Sequence, residues 1–212
     1  MAEQPSRLGI LISGRGSNML ALADGVREGR ILNTEIAIVV SDQANAAGIE
    51  RAKGQNLQTQ IVERGGRPRE EHDREIVAIL KDHKVDLVCL AGYMRVLSSF
   101  FLEVFRDRIL NIHPSLLPAF PGLNAQLQAI EHGVKWTGCT VHFVDGTLDG
   151  GPIIAQKVVP ILEDDSEETL ARRILEQEHQ LYAEAVALVV NGNYRIIGRR
   201  VVGEVSQEGD VA

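Results

Sequence analysis

The stretch ILNIHPSLLP, residues 109–118, decides how the rest of this chain is interpreted. It begins with an apolar run that stops at Pro114, as a buried strand does, because proline cannot donate to a sheet ladder and keeps the preceding residue out of helical geometry. Side chains alternate along a strand, so Asn111 and His113 point to the same face. An amide beside an imidazole suits a negatively charged oxygen. An isolated Asn-x-His is more often a buried pair satisfied by backbone groups, so other stretches must decide.

The composition indicates a globular protein with small-molecule partners. The 212 residues are 44% hydrophobic and carry a formal charge of -7, which disfavours binding to nucleic acid or to an anionic membrane. We expect one domain over residues 1–205 and a polar, disordered tail over residues 206–212. With no run of eighteen apolar residues and no signal-peptide pattern, a cytoplasmic protein is expected. Cys89 and Cys139 are expected to be buried thiols, and the spacing of potential ligands predicts no metal site.

A glycine-rich turn near the amino terminus predicts an anion site. Residues 7–12 form an apolar run typical of a buried parallel strand, and SGRGSN, residues 13–18, precedes a helical pattern. Backbone N–H groups at the start of a helix bind phosphate, and glycine permits close approach. Met19 occupies the place of the third glycine of a dinucleotide fingerprint, and the nucleotide-triphosphate pattern is absent, so a monophosphate fits better. A tight turn capped by Ser17 or Asn18 explains these residues equally well.

Alternating strand and helix patterns predict an α/β fold. The expected strands are residues 34–40, 59–62, 85–91, 136–144, 153–159 and 194–202, and the expected helices are residues 44–54, 68–83, a segment ending at His132, and 166–191. This order predicts a Rossmann-like, open, mostly parallel sheet with helices on both faces and an antiparallel carboxyl-terminal part. Ligands bind at the carboxyl ends of parallel strands, so the loops after Ile12, Ala91 and His113 should share one edge.

Two carboxylates stand out from their local patterns. Glu178 lies on the apolar stripe of the last long helix, between Ile174 and Leu181, so it should point inward and meet a ligand or a buried base. The alternative is that Glu178 lies at the edge of the stripe and reaches solvent. Asp149 lies in a glycine-rich turn, where aspartate most often caps the backbone, but it could instead pair with His113.

Four segments together resemble the folate-dependent phosphoribosylglycinamide formyltransferase family. They are SGRGSN at 13–18, LAGYMR at 90–95, NIHPSLLP at 111–118 and LDGGP at 148–152. The resemblance spans residues 7–200, and it implies the formyltransferase fold. The third segment is shared by a wider superfamily that includes methionyl-tRNA formyltransferase and formyltetrahydrofolate deformylase, whereas the glycine-rich loop favours the first family.

The resemblance implies a step of purine biosynthesis, in which a formyl group passes from 10-formyltetrahydrofolate to the amine of glycinamide ribonucleotide without a metal. The implied catalytic residues are Asn111, His113 and Asp149. Asn111 and a protonated His113 would stabilise the oxyanion, and Asp149 would orient the imidazole. The implied ribonucleotide-binding residues are Gly16, Ser17, Asn18 and Glu178. The implied folate-binding residues are Arg69, Met94, Arg95, Val96, Leu97, Asn111, Asp145 and Asp149.

Three positions depart from the family pattern, and other functions stay open. Arg15 replaces an Asn found in some members, Asn124 a common His and Leu127 a frequent Arg, so we assign no proton chemistry to position 124. One alternative is another formyl-folate enzyme, such as the deformylase. A nicotinamide-dependent oxidoreductase is disfavoured by the broken glycine fingerprint. A non-catalytic module that binds a phosphate ligand would not need Asn111, His113 and Asp149 together. The sequence does not decide whether the chain forms a homodimer.

Overall fold

A nine-stranded sheet runs through residues 4–203, the part of the chain that the computed structural model describes. Its strands follow the order β3-β2-β1-β4-β5-β6-β7-β9-β8. The strands are β1 (Ser6–Ile12), β2 (Thr34–Ser41), β3 (Thr59–Ile61), β4 (Leu87–Leu90), β5 (Ile109–His113), β6 (Trp136–Phe143), β7 (Ile153–Pro160), β8 (Tyr194–Ile197) and β9 (Arg200–Gly203). The helices are α1 (Ser17–Arg27), α2 (Ala47–Gly54), α3 (Arg69–Asp82), α4 (Ser99–Val104), α5 (Ala125–Glu131) and α6 (Glu167–Val190).

The sheet changes direction at β5. Strands β1 to β5 pair in parallel, whereas β6 runs antiparallel to both β5 and β7. The mixed topology confirms the predicted α/β fold with a mostly parallel part and an antiparallel carboxyl-terminal part. Because β5 is the last parallel strand, it joins the two parts.

Side chains alternate along each strand, so they pack into two apolar cores, one on each face of the sheet. Ile10 and Ile12 of β1 pack with α1, α2 and α6, whereas Leu11 packs on the other face with α3 and α4. Cys89 and Cys139 are buried free thiols, as predicted, and burial raises the pKa of each to about 12. The hydroxyl of Tyr182 on α6 donates to the carbonyls of Leu90 and Leu110, which ties this helix to the carboxyl end of β4.

Several predicted boundaries differ from the structure. The helix expected from residue 44 begins at Ala47, and the short helix α4 was not predicted. The strand expected at 194–202 is two antiparallel strands, because Gly198, with φ +62°, turns the chain between β8 and β9. The tail expected at 206–212 lies outside the described residues. Within residues 4–203, no helix is long and apolar enough to cross a membrane.

The carboxyl ends of neighbouring parallel strands bring the predicted loops together. Ser13, after β1, donates its backbone N–H to the Gly92 carbonyl at 3.1 Å, and its hydroxyl accepts from the Met94 N–H at 2.9 Å. The loop after β1 is therefore bonded directly to the loop after β4. This arrangement places the glycine-rich turn and the Met94 segment along one edge, with the end of β5 beside them.

Candidate active site

The end of β5 carries a group of four polar side chains. Nδ1 of His113 lies 3.4 Å from Oδ2 of Asp149, and Nε2 of His142 lies 3.8 Å from Oδ1 of the same carboxylate. Asn111 lies opposite His142 in the β5–β6 register, with 3.2 Å between Nδ2 of Asn111 and Nε2 of His142. His113 and His142 are 5% and 2% exposed, so most of this group is shielded from water. The structure thus brings together the three residues predicted to be catalytic.

His142 is a member of this group that sequence reasoning missed. Its Nδ1 donates to the Phe143 carbonyl at 2.8 Å, so Nε2 of the neutral ring is left to accept from the Asn111 amide. Burial lowers the pKa of His142, against the opposing effect of Asp149, which favours this neutral form. His142 therefore fixes the direction in which the Asn111 amide points. Only the strand register reveals this pairing, because the two residues are 31 positions apart.

A tight loop after β5 contacts the same group. Nε2 of His113 donates to the Phe120 carbonyl at 2.9 Å, and the Gly122 N–H donates to Oδ2 of Asp149 at 2.8 Å. Phe120, Gly122 and Asn124 all have positive φ, which bends the loop sharply over the histidine. Both ring nitrogens of His113 face oxygen acceptors. A doubly protonated imidazolium satisfies both of them, whereas a neutral ring satisfies only one.

The glycine-rich turn leaves the first N–H groups of α1 without a side-chain cap. Gly16 is the N-cap, with φ 70°, and neither Ser17 nor Asn18 caps the helix, contrary to the alternative interpretation of this turn. A Cβ atom at Gly16 would lie 2.8 Å from Cα of Gly48, and the Gly48 N–H donates to the Gly14 carbonyl at 3.0 Å. The close packing of two glycines holds this loop in place. Its uncapped N–H groups suit an anion.

Glu178 points inward, as predicted, and meets the same turn. It is 7% exposed, and its Oε2 accepts from Nδ2 of Asn18 at 2.8 Å. Burial raises the pKa of Glu178, and the hydrogen bond from Asn18 opposes that shift. The Oδ1 atom of Asn18 is buried without a hydrogen-bond partner. These two side chains link the start of α1 to the middle of α6.

A cavity of about 170 Å³ lies beside the loop after β4. It is lined by Arg64, Arg69, His72, Asp73, Met94, Arg95 and Val96. Met94 and Val96 are 69% and 60% exposed, so two apolar side chains stand next to a basic cavity. This combination suits a ligand with a flat apolar part and an anionic end.

Four of the predicted folate residues are not part of this cavity lining. Asn111 and Asp149 belong to the group at the end of β5, and the other two are Leu97 and Asp145. Leu97 is 6% exposed and packs into the core with α3 and α4, so it acts as a packing residue there. Asp145 lies in the exposed turn before β7, where Oδ1 accepts from the N–H and hydroxyl of Thr147. Asp145 therefore makes the Asx turn that was the alternative role for Asp149. In residues 4–203 no three His, Cys, Asp or Glu side chains gather as metal ligands.

This combination of fold and site matches a known family over most of the chain. The family model, described as "Formyl transferase", matches residues 6–186. The chain belongs to the formyl transferase family. Every residue of the group at the end of β5 lies in the matched range, as do Glu178 and the glycine-rich turn.

Two of the relatives of this formyl transferase are named for a formyl transfer to glycinamide ribonucleotide, and a third is named as a purine biosynthetic protein. It is 40% identical over 188 residues to phosphoribosylglycinamide formyltransferase of Escherichia coli, with 88% of each chain covered. It is 51% identical to glycinamide ribonucleotide transformylase 1 of Symbiobacterium toebii, whose crystal structure superposes with a TM-score of 0.92 over 94% of each chain. It is also 44% identical over 194 residues to the trifunctional purine biosynthetic protein adenosine-3 of Drosophila melanogaster. That match covers 91% of this chain but 14% of the fly protein.

Proposed function

We propose that this formyl transferase moves a formyl group from 10-formyltetrahydrofolate to the amine of glycinamide ribonucleotide. The similarity to the enzymes of Escherichia coli and Symbiobacterium toebii supports this pair of substrates. The observation in this chain that carries the proposal is the grouping of Asn111, His113 and Asp149 at the end of β5. The glycine-rich turn at residues 13–18, which we call the anion loop, and the basic cavity lie at the same edge of the sheet.

The proposed chemistry begins when the ribonucleotide amine attacks the formyl carbon. A carbon–nitrogen bond forms, and the formyl oxygen becomes an oxyanion in a tetrahedral intermediate. Hydrogen-bond donors placed where that charge develops lower the barrier. The amide of Asn111 and the imidazolium of His113 are such donors. They lie in a buried setting, where electrostatic interactions are stronger than in water.

Collapse of the intermediate breaks the bond to N10 of the folate. The attacking nitrogen loses one proton and N10 gains one, so the proton count balances without a net acid or base. The carboxylate of Asp149 balances the charge of the imidazolium, and the Gly122 N–H holds that carboxylate in place. A substrate oxygen that reaches Nε2 of His113 must replace the Phe120 carbonyl. An oxyanion can do so, because a charged acceptor binds the imidazolium more strongly than a neutral carbonyl.

The binding residues follow from the surroundings of this centre. Gly16, Ser17 and Asn18 receive the ribonucleotide phosphate on the free N–H groups of α1. Glu178, next to Asn18, accepts hydrogen bonds from the sugar or glycinamide part of the substrate. Folate lies on Met94 and Val96, with its anionic end toward Arg69 and Arg95, and its pterin reaches Asn111, Asp145 and Asp149. Leu97 supports this wall from the core.

Incubation with both substrates tests the proposal. Tetrahydrofolate should be released only when glycinamide ribonucleotide is present, and formylglycinamide ribonucleotide should appear in equal amount. Release of formate without the ribonucleotide would instead favour the deformylase alternative.

Gly16→Val and Asn18→Ala should weaken ribonucleotide binding and leave folate binding unchanged. Equal loss of both ligands in folded variants would contradict the placement of the phosphate. A cytoplasmic location stays a prediction.

A further inference from the structure

A second cavity, of about 740 Å³, lies between α1, α2 and α6. Its lining includes Ser17, the first residue of α1, so the cavity reaches the anion loop. The volume is within the range of roughly 300–1,000 Å³ that suits a small ligand. The proposed reaction places the ribonucleotide phosphate at the anion loop and gives the rest of this cavity no role.

Most charged side chains of this cavity already have partners in the protein. The pairs, with separations of 2.6, 2.9 and 2.8 Å, are Asp24 with Arg27, Arg30 with Glu28, and Glu184 with Lys157. Burial lowers the pKa of His179, which favours the neutral ring. Arg51 is the remaining charged residue of the lining, and no carboxylate within residues 4–203 pairs with it. The cavity therefore contains one positive charge that the described part of the chain does not balance.

Arg51 is placed close to the anion loop by the packing of α2. It follows Gly48 by three residues, about one helical turn, and the Gly48 N–H donates to the Gly14 carbonyl at 3.0 Å. A Cβ atom at Gly16 would lie 2.8 Å from Cα of Gly48, so the two backbones are in contact. Side chains of a helix lean toward its amino terminus, so Arg51 leans toward this contact. An anion on the N–H groups of α1 is therefore within reach of its long side chain.

A buried acceptor in the first turn of α1 independently points to a ligand here. Asn18 is 8% exposed, and its Nδ2 donates to Glu178, but its Oδ1 is buried without a hydrogen-bond partner. A buried oxygen in this state is costly unless a donor meets it. A sugar hydroxyl is such a donor. A phosphate on the same sugar would then lie beside Ser17, at the cavity.

We propose that Arg51 binds the phosphate of the ribonucleotide together with the N–H groups of α1, and that it makes the site specific for the phosphorylated sugar. The proposal rests on the proposed function and adds a residue of α2 to the substrate site. A helix amino terminus supplies the equivalent of about half a positive charge, whereas a phosphate monoester carries about -1.5 to -2 at pH 7. The guanidinium of Arg51 supplies a further positive charge and bidentate geometry.

A comparison of substrates with and without phosphate tests this assignment. Arg51→Met should raise KM for glycinamide ribonucleotide about ten-fold, because one charge-assisted contact is lost. It should leave kcat and the KM for 10-formyltetrahydrofolate unchanged. The value of kcat/KM for the ribonucleoside, which lacks the phosphate, should also stay the same. Arg51→Lys should restore part of the affinity, since it keeps the charge and loses the bidentate geometry.

Lys53→Met is the matched control. It removes one positive charge from the same helix, but Lys53 lies outside the cavity lining and pairs with Glu50 at 2.8 Å. This variant should bind the ribonucleotide as the unaltered protein does. An equal loss for both substrates in Arg51→Met, or no loss for the ribonucleotide, would overturn the assignment.

Titration with ribose 5-phosphate and with ribose separates this assignment from the proposed reaction, because it needs no turnover. Arg51→Met should weaken the binding of ribose 5-phosphate about ten-fold and leave any binding of ribose unchanged. That result in a protein that transfers no formyl group would support the role of Arg51 and contradict the proposed function. Unchanged affinity for ribose 5-phosphate in an active enzyme would contradict the role of Arg51 alone.

Discussion

Asn18 and Glu178 are 160 residues apart in the chain, yet Nδ2 of Asn18 donates to Oε2 of Glu178 at 2.8 Å. The bond fixes the first turn of α1 against the middle of α6 and places a carboxyl group beside the anion loop. Because Glu178 is buried, its ionised form is disfavoured, and its pKa is raised. A buried carboxyl group lowers the stability of the folded protein at a pH where it is ionised.

Glu178→Gln should therefore stabilise the protein at neutral and alkaline pH. The folded state raises the pKa of Glu178, so the stability that this residue contributes is lost as the pH rises from about 4.5 through the folded value. Each unit of the shift corresponds to about 1.4 kcal/mol. Glutamine still accepts from Asn18 but does not ionise. Urea unfolding at pH 5 and pH 8 measures the difference in the free energy of unfolding between the variant and the unaltered protein, which should grow with pH. The variant should also bind the ribonucleotide more weakly. A difference that shrinks as the pH rises would contradict the prediction.

His113→Gln should lower kcat by about two to four orders of magnitude, because a positioned proton donor contributes about that much. Glutamine can donate toward the Phe120 carbonyl but cannot carry the positive charge. Far-ultraviolet circular dichroism should show an unchanged fold. His83→Gln is the control, since Nδ1 of His83 donates to the Ile79 carbonyl and its own carbonyl accepts from Arg7, at the start of β1 and at the other end of the sheet from the site. If both variants turned over at the same rate, His113 would have no part in the mechanism.

Asp149→Asn should also reduce kcat, by about one hundred-fold or more, because an amide cannot balance the charge of an imidazolium. The amide oxygen can still accept from the Gly122 N–H, so the loop over His113 should keep its position. Asp164→Asn is the control, because Asp164 is an exposed aspartate before α6. The kcat of Asp149→Asn divided by the kcat of Asp164→Asn measures the effect. A normal kcat in Asp149→Asn would show that the carboxylate charge is not used.

His142→Gln should make the stability less sensitive to acid. Burial lowers the pKa of His142, so this residue binds a proton more weakly in the folded chain than in the unfolded chain. Its contribution to stability is therefore lost as the pH falls below about 6.5, by at most about 1.4 kcal/mol per pH unit. Glutamine has no such proton to bind, and its oxygen can accept from Asn111. Thermal unfolding between pH 5 and pH 7 should show that the midpoint temperature changes less with pH in the variant. An equal change with pH in both proteins would exclude His142 as the source of the acid sensitivity.

Gly16→Ala should destabilise the fold by about 1–3 kcal/mol, since it places a Cβ atom in left-handed backbone and close to Gly48. Gly14→Ala is a matched change two residues away, where an added Cβ atom meets nothing within 4 Å. Urea unfolding of the two variants should therefore differ clearly. Similar loss of stability in both would mean that the contact between Gly16 and Gly48 does not constrain the turn.

Four of the parallel strands, β1, β2, β4 and β5, could be predicted because they are largely buried and appear as mostly apolar runs. The helix α4 could not, because its six residues, SFFLEV, are too few to show helical periodicity. The apolar pattern of residues 194–202 resembles a single strand, although Gly198 is a local signal for the turn that separates β8 from β9.

Only some of the residues of the candidate site could be predicted from the sequence. Asn111 and His113 could be placed together, because they are two residues apart on one strand. The partner role of His142 depends on the register between β5 and β6, and the packing of Leu97 depends on the position of α3 and α4.

The site at the end of β5 spans the junction between the two halves of the sheet. Asn111 and His113 belong to the last parallel strand, whereas His142 lies on the first antiparallel strand and Asp149 in the turn that follows it. A folding intermediate with only the parallel half in place would contain the anion loop but would lack two of the four polar side chains. A slip of one residue between β5 and β6 would turn His142 to the opposite face of the sheet. During refolding, the return of enzymatic activity therefore reports the correct docking of the β6–β7 hairpin.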